Sequence, residues 1–501
     1  MINHQKGAQM KRITEADKLI EMLESAGFEA YYVGGCVRDF LRGQSRAAES
    51  VPADIDVTTS ATPDEMKEVF AGLKYFETGI KHGTLTVLAP AKDREADGNE
   101  ADGNKAEGRK YAPVEITTFR TDGEYKDNRH PDEVRFVRNL EEDLARRDFT
   151  INAMAMDMRG NLIDVFGGRA DLEAGLIRAV GDPDRRFQED ALRILRAMRF
   201  AAVLNRGGED DRGFEDGRGF EIESETEAAM FRNKELLGNI SAERIYAELK
   251  KLVTGPHGGD VVRKYVDIIG VFIPELLAMK GFEQHNPYHR YDVLEHCVRA
   301  MEAVEGSGFA EDYQMKLAAL LHDVGKPQKF FIDENGIGHM YGHAAAGEEM
   351  VRNILNRLKA DGETRDRVCA LVKYHDLVFQ EDRRLLKKWM NRYTPEMLLE
   401  ILHIKRADNL ATGNMSEELA EKFDRIEDEI RAIVEEQQCF SLKDLALDGR
   451  DIIDLCKGRG GAPEGREIGQ TLQKLLDEVI DGDLPNEKEA LTARAAELLG
   501  I

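Results

Sequence analysis

Two stretches decide the fold of this chain: YYVGGCVRD at residues 31–39 and DIDVTTSATPDE at residues 54–65. The first is typical of a strand that ends at a pair of glycines and continues directly into a helix. The second predicts another strand, on which Asp54 and Asp56 point to the same side because alternate strand residues share a face. We therefore expect a small α/β unit that brings a glycine loop next to a pair of carboxylates.

The flanking sequence extends this unit in both directions. Thr14 predicts the start of a helix before the first strand, and Thr62 predicts the start of another helix after the second strand. Two further strands are predicted at residues 84–90 (TLTVLAP) and 114–120 (VEITTFR). A polar insertion at residues 91–110, in which EADGN occurs twice, separates them and is typical of an extended hairpin loop.

Length and composition limit the class of protein. With 501 residues the chain is too long for one ordinary core, and we expect roughly three to four domains. From about residue 140 onward helical periodicity replaces the strand signals, so the α/β head is followed by a long helical body. No apolar run approaches the ~18 residues needed to cross a bilayer, and the N-terminus has no apolar leader. Together with five scattered cysteines and no CxxC pair, these features predict a cytoplasmic protein without membrane association.

The charge distribution gives conflicting indications about whether this chain binds nucleic acid. A formal net charge of −25 counts against the basic surface that RNA-binding proteins usually present. One local run is basic, because residues 178–206 contain seven arginines and four acidic residues. A solvated helix face explains such a run as well as an RNA contact does. Charge alone therefore decides little.

The acidic pair and the glycine loop suit phosphate chemistry. Two carboxylates about 5 Å apart repel each other by roughly 3 kcal/mol at an effective dielectric constant near 20. A divalent cation removes this penalty, and Mg²⁺ favours a few carboxylates together with substrate phosphates. The backbone N–H groups after Gly34-Gly35 and the guanidinium of Arg38 would face a triphosphate. Such a phosphate site beside a metal pair fits in-line displacement at an α-phosphate.

These residues resemble the head domain of the class II tRNA nucleotidyltransferases and bacterial poly(A) polymerases. The resemblance covers roughly residues 15–255 and continues, in the family's order, through five more motifs: GIKHGTLTV (79–87), VEITTFRTDGEYKDNRHPDEVRFV (114–137), RRDFTINAMA (146–155), EDALRILRAMRF (189–200) and SAERIYAELKKL (241–252).

The resemblance implies a role for each motif. Asp54 and Asp56 would be catalytic and would hold the Mg²⁺ that activates an RNA 3′-hydroxyl. The implied nucleotide-binding residues are Gly35, Arg38, Arg120, Arg147, Asp148, Asn152, Asp190, Arg193 and Arg196. Among them Asp190 and Arg193, expected one turn apart on a helix, would read the base, because Arg donates and Asp accepts hydrogen bonds. The implied partners are CTP, ATP and the 3′ end of tRNA.

The sequence leaves several activities open. The segment 120–136 resembles a loop of enzymes that add the terminal A, which favours complete CCA addition or A addition over CC addition. HGTLTV is more similar to the tRNA enzymes than to the poly(A) polymerases. A poly(A) polymerase that uses only ATP, a metal-dependent phosphohydrolase with a nucleotide-sensing head, and a pure RNA-binding module are the alternatives.

A second group of metal-type residues begins near residue 285. Its members are His296, His322, Asp323, His343, His375 and Asp408, most of which end or interrupt apolar helices. In this order they resemble the HD phosphohydrolase superfamily. The resemblance implies one divalent ion on His296, His322, Asp323 and Asp408, and a second ion on His343 and His375.

Imidazole and carboxylate together suit a divalent transition metal such as Ni²⁺ or Mn²⁺, or Fe or Zn²⁺, rather than Mg²⁺ alone. Such a centre would supply a hydroxide that attacks a phosphoester, and Lys326 would steady the developing negative charge. A relic domain used only to dock RNA is the alternative.

Four domains follow from these resemblances. The predicted fold is an α/β nucleotidyltransferase head with a small mixed sheet, an all-α neck and body, an α-helical HD domain and a helical tail. The predicted boundaries are 12–150 for the head, 151–280 for the neck and body that read the nucleotide and bind RNA, 285–412 for the HD domain and 413–501 for the tail. The oligomeric state stays open.

Overall fold

The computed structural model describes residues 14–42, 55–90, 111–123, 134–204, 219–285, 290–304, 308–309, 312–436, 438–458 and 465–501. Asp54 and the polar insertion at 91–110 lie outside these residues. The chain forms two compact units, divided in sequence between Phe272 and Ile273.

The first unit combines strands and helices. Its strands are β1 (Ala30–Val33), β2 (Ile55–Thr59), β3 (Tyr75–Gly79), β4 (Thr84–Pro90), β5 (Tyr111–Thr118), β6 (Arg120–Asp122), β7 (Val134–Phe136), β8 (Met154–Met156), β9 (Leu162–Asp164), β10 (Leu176–Ile177) and β11 (Glu221–Ile222). Its helices are α1 (Thr14–Ser25), α2 (Gly35–Leu41), α3 (Pro63–Val69), α4 (Leu140–Ala145), α5 (Gly168–Ala174), α6 (Pro183–Glu189), α7 (Leu192–Val203), α8 (Ser224–Asn233), α9 (Ala242–Val253) and α10 (Gly258–Ile269).

One mixed sheet organises the head. Its seven strands lie in the order β3-β4-β5-β2-β1-β8-β9, so the sheet is mixed as predicted. Strands β2 and β5 are parallel, and their register places Asp56 directly beside Glu115. Register partners leave a sheet on the same face. The sheet therefore presents two neighbouring acidic residues on the face that carries Asp56.

The sheet extends past the head boundary predicted at residue 150. Strands β8 and β9 lie between residues 154 and 164, and β8 pairs with β1 at the edge of the glycine loop. Each of these strands has three residues, which is too short to show the alternation that identifies a strand in sequence. The loss of strand signals after residue 140 therefore did not mark the end of the sheet.

Local sequence explains the ends of the helices around the sheet. Helix α3 begins as predicted: the side chains of Thr62 and Glu65 form a reciprocal capping box, and Pro63 is the first helical residue. Apolar residues of α1, α3 and the central strands form one buried core between helices and sheet. This core holds the end of β1 and the start of α2 in place.

The second unit is mainly helical. Its helices are α11 (Glu275–Met279), α12 (Val293–Ala303), α13 (Tyr313–Leu321), α14 (Lys326–Lys329), α15 (His343–Arg357), α16 (Gly362–Tyr374), α17 (Arg383–Tyr393), α18 (Pro395–Ala411), α19 (Glu417–Glu435), α20 (Gly449–Leu455), α21 (Gly465–Asp481) and α22 (Lys488–Leu499). A short hairpin of β12 (Phe331–Ile332) and β13 (Gly338–His339) interrupts them. The last three helices share a separate apolar core with residues from Cys439 onward.

Within the part of the chain that the structure describes, no helix is long and apolar enough to cross a membrane.

The first turn of α5 tolerates no added methyl group. A Cβ on Gly168 would lie 2.1 Å from the backbone oxygen of Thr150, whereas a Cβ on Gly72 would meet nothing within 4 Å. We expect Gly168→Ala to lower the free energy of unfolding of the first unit by about 2–3 kcal/mol, as overpacking of a rigid contact does. Calorimetric melting of the two alanine variants checks this. Equal melting temperatures for Gly168→Ala and Gly72→Ala would contradict the packing described here.

Candidate active site and metal cluster

The turn between β1 and α2 brings three functional groups together. Gly34 has φ 78° and ψ −135°, in the left-handed half of the backbone map that glycine accepts readily. A Cβ at this position would lie 3.2 Å from Arg147 Nη1 and 3.7 Å from Asp56 Oδ2. The missing side chain therefore lets the backbone approach a predicted nucleotide-binding arginine and a predicted metal ligand at once.

Asp56 stands at the centre of the sheet. It is half-buried on β2, between the buried residues Ile55 and Val57. Asp54, its predicted partner, lies outside the described residues. Glu115 on β5 is exposed and is the register neighbour of Asp56. Glu115 is a third acidic group at this site that the sequence reading missed, although its position on a predicted strand beside β2 was a usable signal.

A continuous chain of polar contacts joins four of the predicted nucleotide-binding residues. Arg38 Nη1 donates to Asn152 Oδ1 at 2.9 Å, and Asn152 Nδ2 donates to Asp148 Oδ1 at 3.2 Å. Arg196 Nε and Nη2 both donate to Asp148 Oδ2, at 2.8 and 2.5 Å. Phe200 supports two of the guanidinium groups, which lie 5.2 Å (Arg38) and 5.7 Å (Arg196) from its ring centroid. Residues more than a hundred positions apart thus form one rigid group.

Electrostatics keeps this group ionised. Burial disfavours the charged form of Asp148, but attraction to Arg196 and Arg193 outweighs it and holds the pKa of the carboxyl well below its usual range. Arg196 gains in return, because the Asp148 carboxylate raises its pKa. Asp148 and Arg196 therefore both stay charged near neutral pH.

Asp143, which the sequence reading overlooked, anchors the arginines of the RRD motif. Its side chain is completely buried. Oδ1 accepts hydrogen bonds from Arg146 Nε and Nη2 and from the Arg120 backbone N–H, and Oδ2 accepts from Arg147 Nη2 at 3.3 Å and from Thr58 Oγ1 at 3.2 Å. Burial raises the pKa of Asp143, but the guanidinium groups of Arg146 and Arg147 lower it by a larger amount, so the pKa lies below its usual value. One carboxylate therefore orients the arginine that approaches Gly34.

Arg120 sits at the edge of this arrangement. Its Nη1 donates to the backbone oxygen of His82 at 2.6 Å, while its backbone N–H is bound by Asp143. Gly35, another predicted nucleotide-binding residue, is the first residue of α2, and a Cβ there would lie 3.6 Å from Arg38 Nη2.

The predicted base-reading pair does not form as expected. Asp190 is not on the helix with Arg193, because α6 ends at Glu189 and Asp190 has extended backbone angles before α7 begins. Arg193 donates instead to Glu189 Oε2 and to the backbone oxygen of Arg146, both at 2.9 Å. Asp190 Oδ2 accepts from Arg244 Nη2 at 2.8 Å. Both residues are engaged separately, and their reading of a base stays a prediction.

The basic run at 178–206 is not an open positive stripe. Arg206 lies outside the described residues, and the other six arginines of the run all pair with acidic side chains. Glu189 binds three of them, Arg185, Arg186 and Arg193. Arg196 pairs with Asp148, and Arg199 pairs with Glu248. Arg178 pairs with both Asp171 and Glu223. These arginines therefore form ion pairs within the first unit.

In the second unit, the residues predicted for one metal converge from three helices. His296 lies on α12, His322 and Asp323 follow the end of α13, and Asp408 lies on α18. His296 Nε2 is 3.0 Å from Asp408 Oδ1 and 3.2 Å from His322 Nε2. His322 Nε2 is 3.2 Å from Asp323 Oδ2. His296, His322 and Asp323 are almost completely buried, in a geometry suited to a metal ion.

The residues predicted for a second metal lie on the other side of Asp323. His343 Nε2 is 3.2 Å from Asp323 Oδ1, and His375 Nε2 is 3.6 Å from the same oxygen. The two imidazole Nε2 atoms are 3.2 Å apart. Asp376, which the sequence reading did not select, brings its Oδ2 within 3.2 Å of His343 Nε2. Asp323 is therefore shared between two groups of metal-type side chains.

The tautomers of these histidines favour a cation. The Nδ1 atoms of His322, His343 and His375 lie 2.7, 3.0 and 2.7 Å from backbone carbonyl oxygens, so each Nδ1 carries the proton and donates it. Burial lowers the pKa of His322 and of His343, but the Asp323 carboxylate raises it by more, which favours a second proton on Nε2. A divalent metal ion would take the place of these protons, because each neutral ring would then offer the Nε2 lone pair to the metal.

Lys326 lies at this cluster, and its role in steadying developing negative charge stays a prediction. Its Nζ is 2.6 Å from Asp323 Oδ2 and donates to Gln284 Oε1 at 2.8 Å. Lys326 therefore contacts the shared carboxylate directly.

Comparisons with known proteins place the chain in a family. The model of the Poly A polymerase head domain matches residues 30–178, that of the probable RNA and SrmB-binding site of polymerase A matches 219–278, and that of the putative tRNA nucleotidyltransferase domain 2 matches 340–495. The CCA-adding enzyme of Ligilactobacillus salivarius is 31% identical over 96% of this chain and 95% of its own length. That of Levilactobacillus brevis is 34% identical over 95% of this chain and 96% of its own length.

The chain belongs to the CCA-adding enzyme family. The Lactobacillus helveticus member is 43% identical over a shorter region, which covers 54% of this chain and 58% of that enzyme. The crystal structure of the Bacillus stearothermophilus CCA-adding enzyme in complex with CTP superimposes with a TM-score of 0.65 and 27% identity, covering 97% of this chain and 98% of that one.

Family membership confirms the predicted fold of a nucleotidyltransferase head with a mixed sheet followed by a mostly helical body. Enzymes of this family generally depend on a divalent metal.

Asp143 gives the head an acid-sensitive anchor. Because its pKa is lowered on folding, its contribution to stability is fully present above the unfolded pKa, about 4, and is lost as the pH falls toward the folded pKa. We expect Asp143→Asn to destabilise the first unit by about 3 kcal/mol at pH 7, since two arginines lose a buried counter-charge. The difference from the unsubstituted protein should shrink below pH 4. Urea unfolding at pH 7 and at pH 3.5 measures both effects, and a pH-independent difference would contradict the assigned cause.

Proposed function

We propose that this chain adds C, C and A to the 3′ end of tRNA, with CTP and ATP as substrates and Mg²⁺ as the metal of the head. The observation that carries the proposal is the approach of Arg147 and Asp56 to the Cβ-less turn at Gly34. This arrangement places a cation that can bind phosphate next to a carboxylate that can bind a metal ion. The chain also aligns over 95–96% of its length with enzymes named for CCA addition.

Each residue has a distinct task in this proposal. Asp56 would hold Mg²⁺ together with Asp54, and Glu115 adds negative charge beside Asp56. When bound, the metal would lower the pKa of the RNA 3′-hydroxyl and neutralise charge on the phosphates. Arg147, oriented by Asp143, would contact the triphosphate. The linked group of Arg38, Asn152, Asp148 and Arg196 would hold the sugar and phosphates in one position, which is the main source of rate in such transfers.

Two alternatives, a poly(A) polymerase and a nucleotide-sensing head, fit these observations less well. A poly(A) polymerase shares the head, but the full-length relatives reported above are named for CCA addition. A nucleotide-sensing head would need no carboxylate beside the glycine turn.

The direct test supplies tRNA that lacks its 3′ CCA with CTP, ATP or both, and sequences the products. We expect two C residues with CTP alone, and CCA that stops after one A with both nucleotides. Long A tails would instead support the poly(A) polymerase.

Asp56→Ala should abolish transfer of both nucleotides, because no metal then activates the 3′-hydroxyl; we expect at least a 10³-fold loss of rate. The matched control is Asp64→Ala, which removes an exposed carboxylate on α3 of the same unit. Retained transfer by Asp56→Ala, or equal losses in both variants, would refute the assignment.

We also propose that the second unit is a divalent-metal phosphohydrolase of the HD type. The supporting observation is the shared carboxylate of Asp323, which faces His296 and His322 through Oδ2 and His343 and His375 through Oδ1. Ni²⁺ or Mn²⁺ fits this donor set. In the reaction a water oxygen forms the new P–O bond, and the alcohol oxygen leaves with a proton.

Shared ligation has a measurable consequence. We expect the chain to bind two Mn²⁺ ions in the second unit, Asp323→Ala to lose both, and His375→Ala to lose one. Isothermal titration and metal analysis in an Asp56→Ala background remove the contribution of the head. His82→Ala, which removes an exposed histidine of the first unit, is the control. A protein that binds no Mn²⁺ in this background, or that hydrolyses no phosphoester with Mn²⁺ or Ni²⁺, supports the relic domain instead.

A further inference from the structure

Three aromatic rings stand together on the short hairpin that precedes His343. The rings of His339 and Tyr341 are stacked, with centroids 5.2 Å apart and planes 19° apart. Phe331 completes the group, with its centroid 5.3 Å from that of His339 and 5.9 Å from that of Tyr341. We call these three residues the aromatic hairpin face. Tyr341 is 73% exposed and Phe331 is 47% exposed, so a large part of the face is open to solvent.

The aromatic hairpin face is held in shape before any ligand arrives. Asp333 Oδ2 lies 2.9 Å from His339 Nε2 and fixes the middle ring. Asp333 Oδ1 accepts hydrogen bonds from the backbone N–H groups of Asn335 and Ile337, which closes the turn between the two strands. Large exposed rings that are already ordered lose little conformational entropy on binding. Their exposure is therefore typical of a binding surface rather than of a loose loop.

Both strands of the hairpin lead directly to the metal cluster. The backbone oxygen of Met340, next to Tyr341, is the partner of His343 Nδ1 at 3.0 Å. Tyr341 is two residues from His343, so their Cα atoms lie within about 7 Å. At the other strand, Phe331 follows α14, which begins with Lys326, 2.6 Å from Asp323 Oδ2. The chain on both sides of the rings thus contacts the buried cluster, at His343 and at Lys326.

We propose that the aromatic hairpin face stacks the base of a nucleotide whose phosphoester lies at the Asp323 cluster. The inference rests on the phosphohydrolase proposed above and adds to it the residues that would hold the base. Every base has a flat face that stacks on aromatic side chains, worth about 1–3 kcal/mol per base. A nucleotide also carries base and phosphate a short distance apart, and Tyr341 is only two residues from His343. A small phosphoester without a base would leave the rings unused.

Binding without metal tests the stacking by itself. The probe is the 5′-monophosphate of 2-aminopurine riboside, whose fluorescence falls on stacking. We expect Tyr341→Ala to weaken the quenching titration about tenfold, the equivalent of about 1.4 kcal/mol. Val378→Ala, which trims another exposed side chain of the second unit, should leave the curve unchanged. Any binding to the head is common to all three proteins, so identical curves for Tyr341→Ala and the unsubstituted protein would overturn the proposal.

Hydrolysis separates this inference from the activity on which it rests. The Mn²⁺-loaded protein is given adenosine 5′-monophosphate or ribose 5-phosphate, which carries a hydroxyl at C1 in place of the base. We expect a kcat/KM about tenfold higher for the nucleotide, and Tyr341→Ala should remove that preference through KM while leaving ribose 5-phosphate unaffected. Hydrolysis of both compounds without a preference that depends on Tyr341 overturns the stacking proposal. Hydrolysis of neither overturns the phosphohydrolase, and the fluorescence titration then decides the stacking alone.

Discussion

The head depends on one close approach, in which the backbone at Gly34 passes Arg147 Nη1 and Asp56 Oδ2 where any Cβ would crowd the arginine. The positive φ is what favours glycine there. The approach requires β1 and β2 to be neighbours in one sheet, since Gly34 follows β1 and β2 carries Asp56, and it requires Asp143 to hold Arg147. The sheet order, the glycine turn and the active-site chemistry are therefore parts of the same constraint.

Buried and half-buried acidic residues then set where the arginines point. Asp143 holds Arg146 and Arg147, Asp148 holds Arg196, and Glu189 holds Arg193. In this way a chain with a net charge of −25 fixes arginines around the site that we propose for the triphosphate. The acids are internal partners that fix cations in place, because a paired guanidinium still has N–H groups left to donate to a phosphate.

Sequence reasoning succeeded where a local pattern carried the information. The strand and glycine turn at 31–39 and the capped start of α3 followed from short-range signals, whereas the mixed sheet followed from the family resemblance. It failed where partners are chosen by tertiary structure. The strands at 154–164 are too short to alternate, and Asp190 and Arg193 are near in sequence yet bind Arg244 and Glu189. Asp143 was missed because a single acid in a helix has no distinctive pattern. The histidines were found by their order, whereas the sharing of Asp323 required coordinates.

We propose that phosphodiesters form in the first unit and that phosphoesters are hydrolysed in the second, each around its own carboxylates. The most important assignment is that of the turn at Gly34 as the nucleotide and metal site of the head. The most direct measurement is a crystal structure with CTP and Mn²⁺, with manganese located by anomalous scattering. This assignment requires a manganese peak at the carboxylate of Asp56, with the triphosphate between Gly34 and Arg147. CTP bound elsewhere, or manganese confined to the Asp323 cluster, would contradict it.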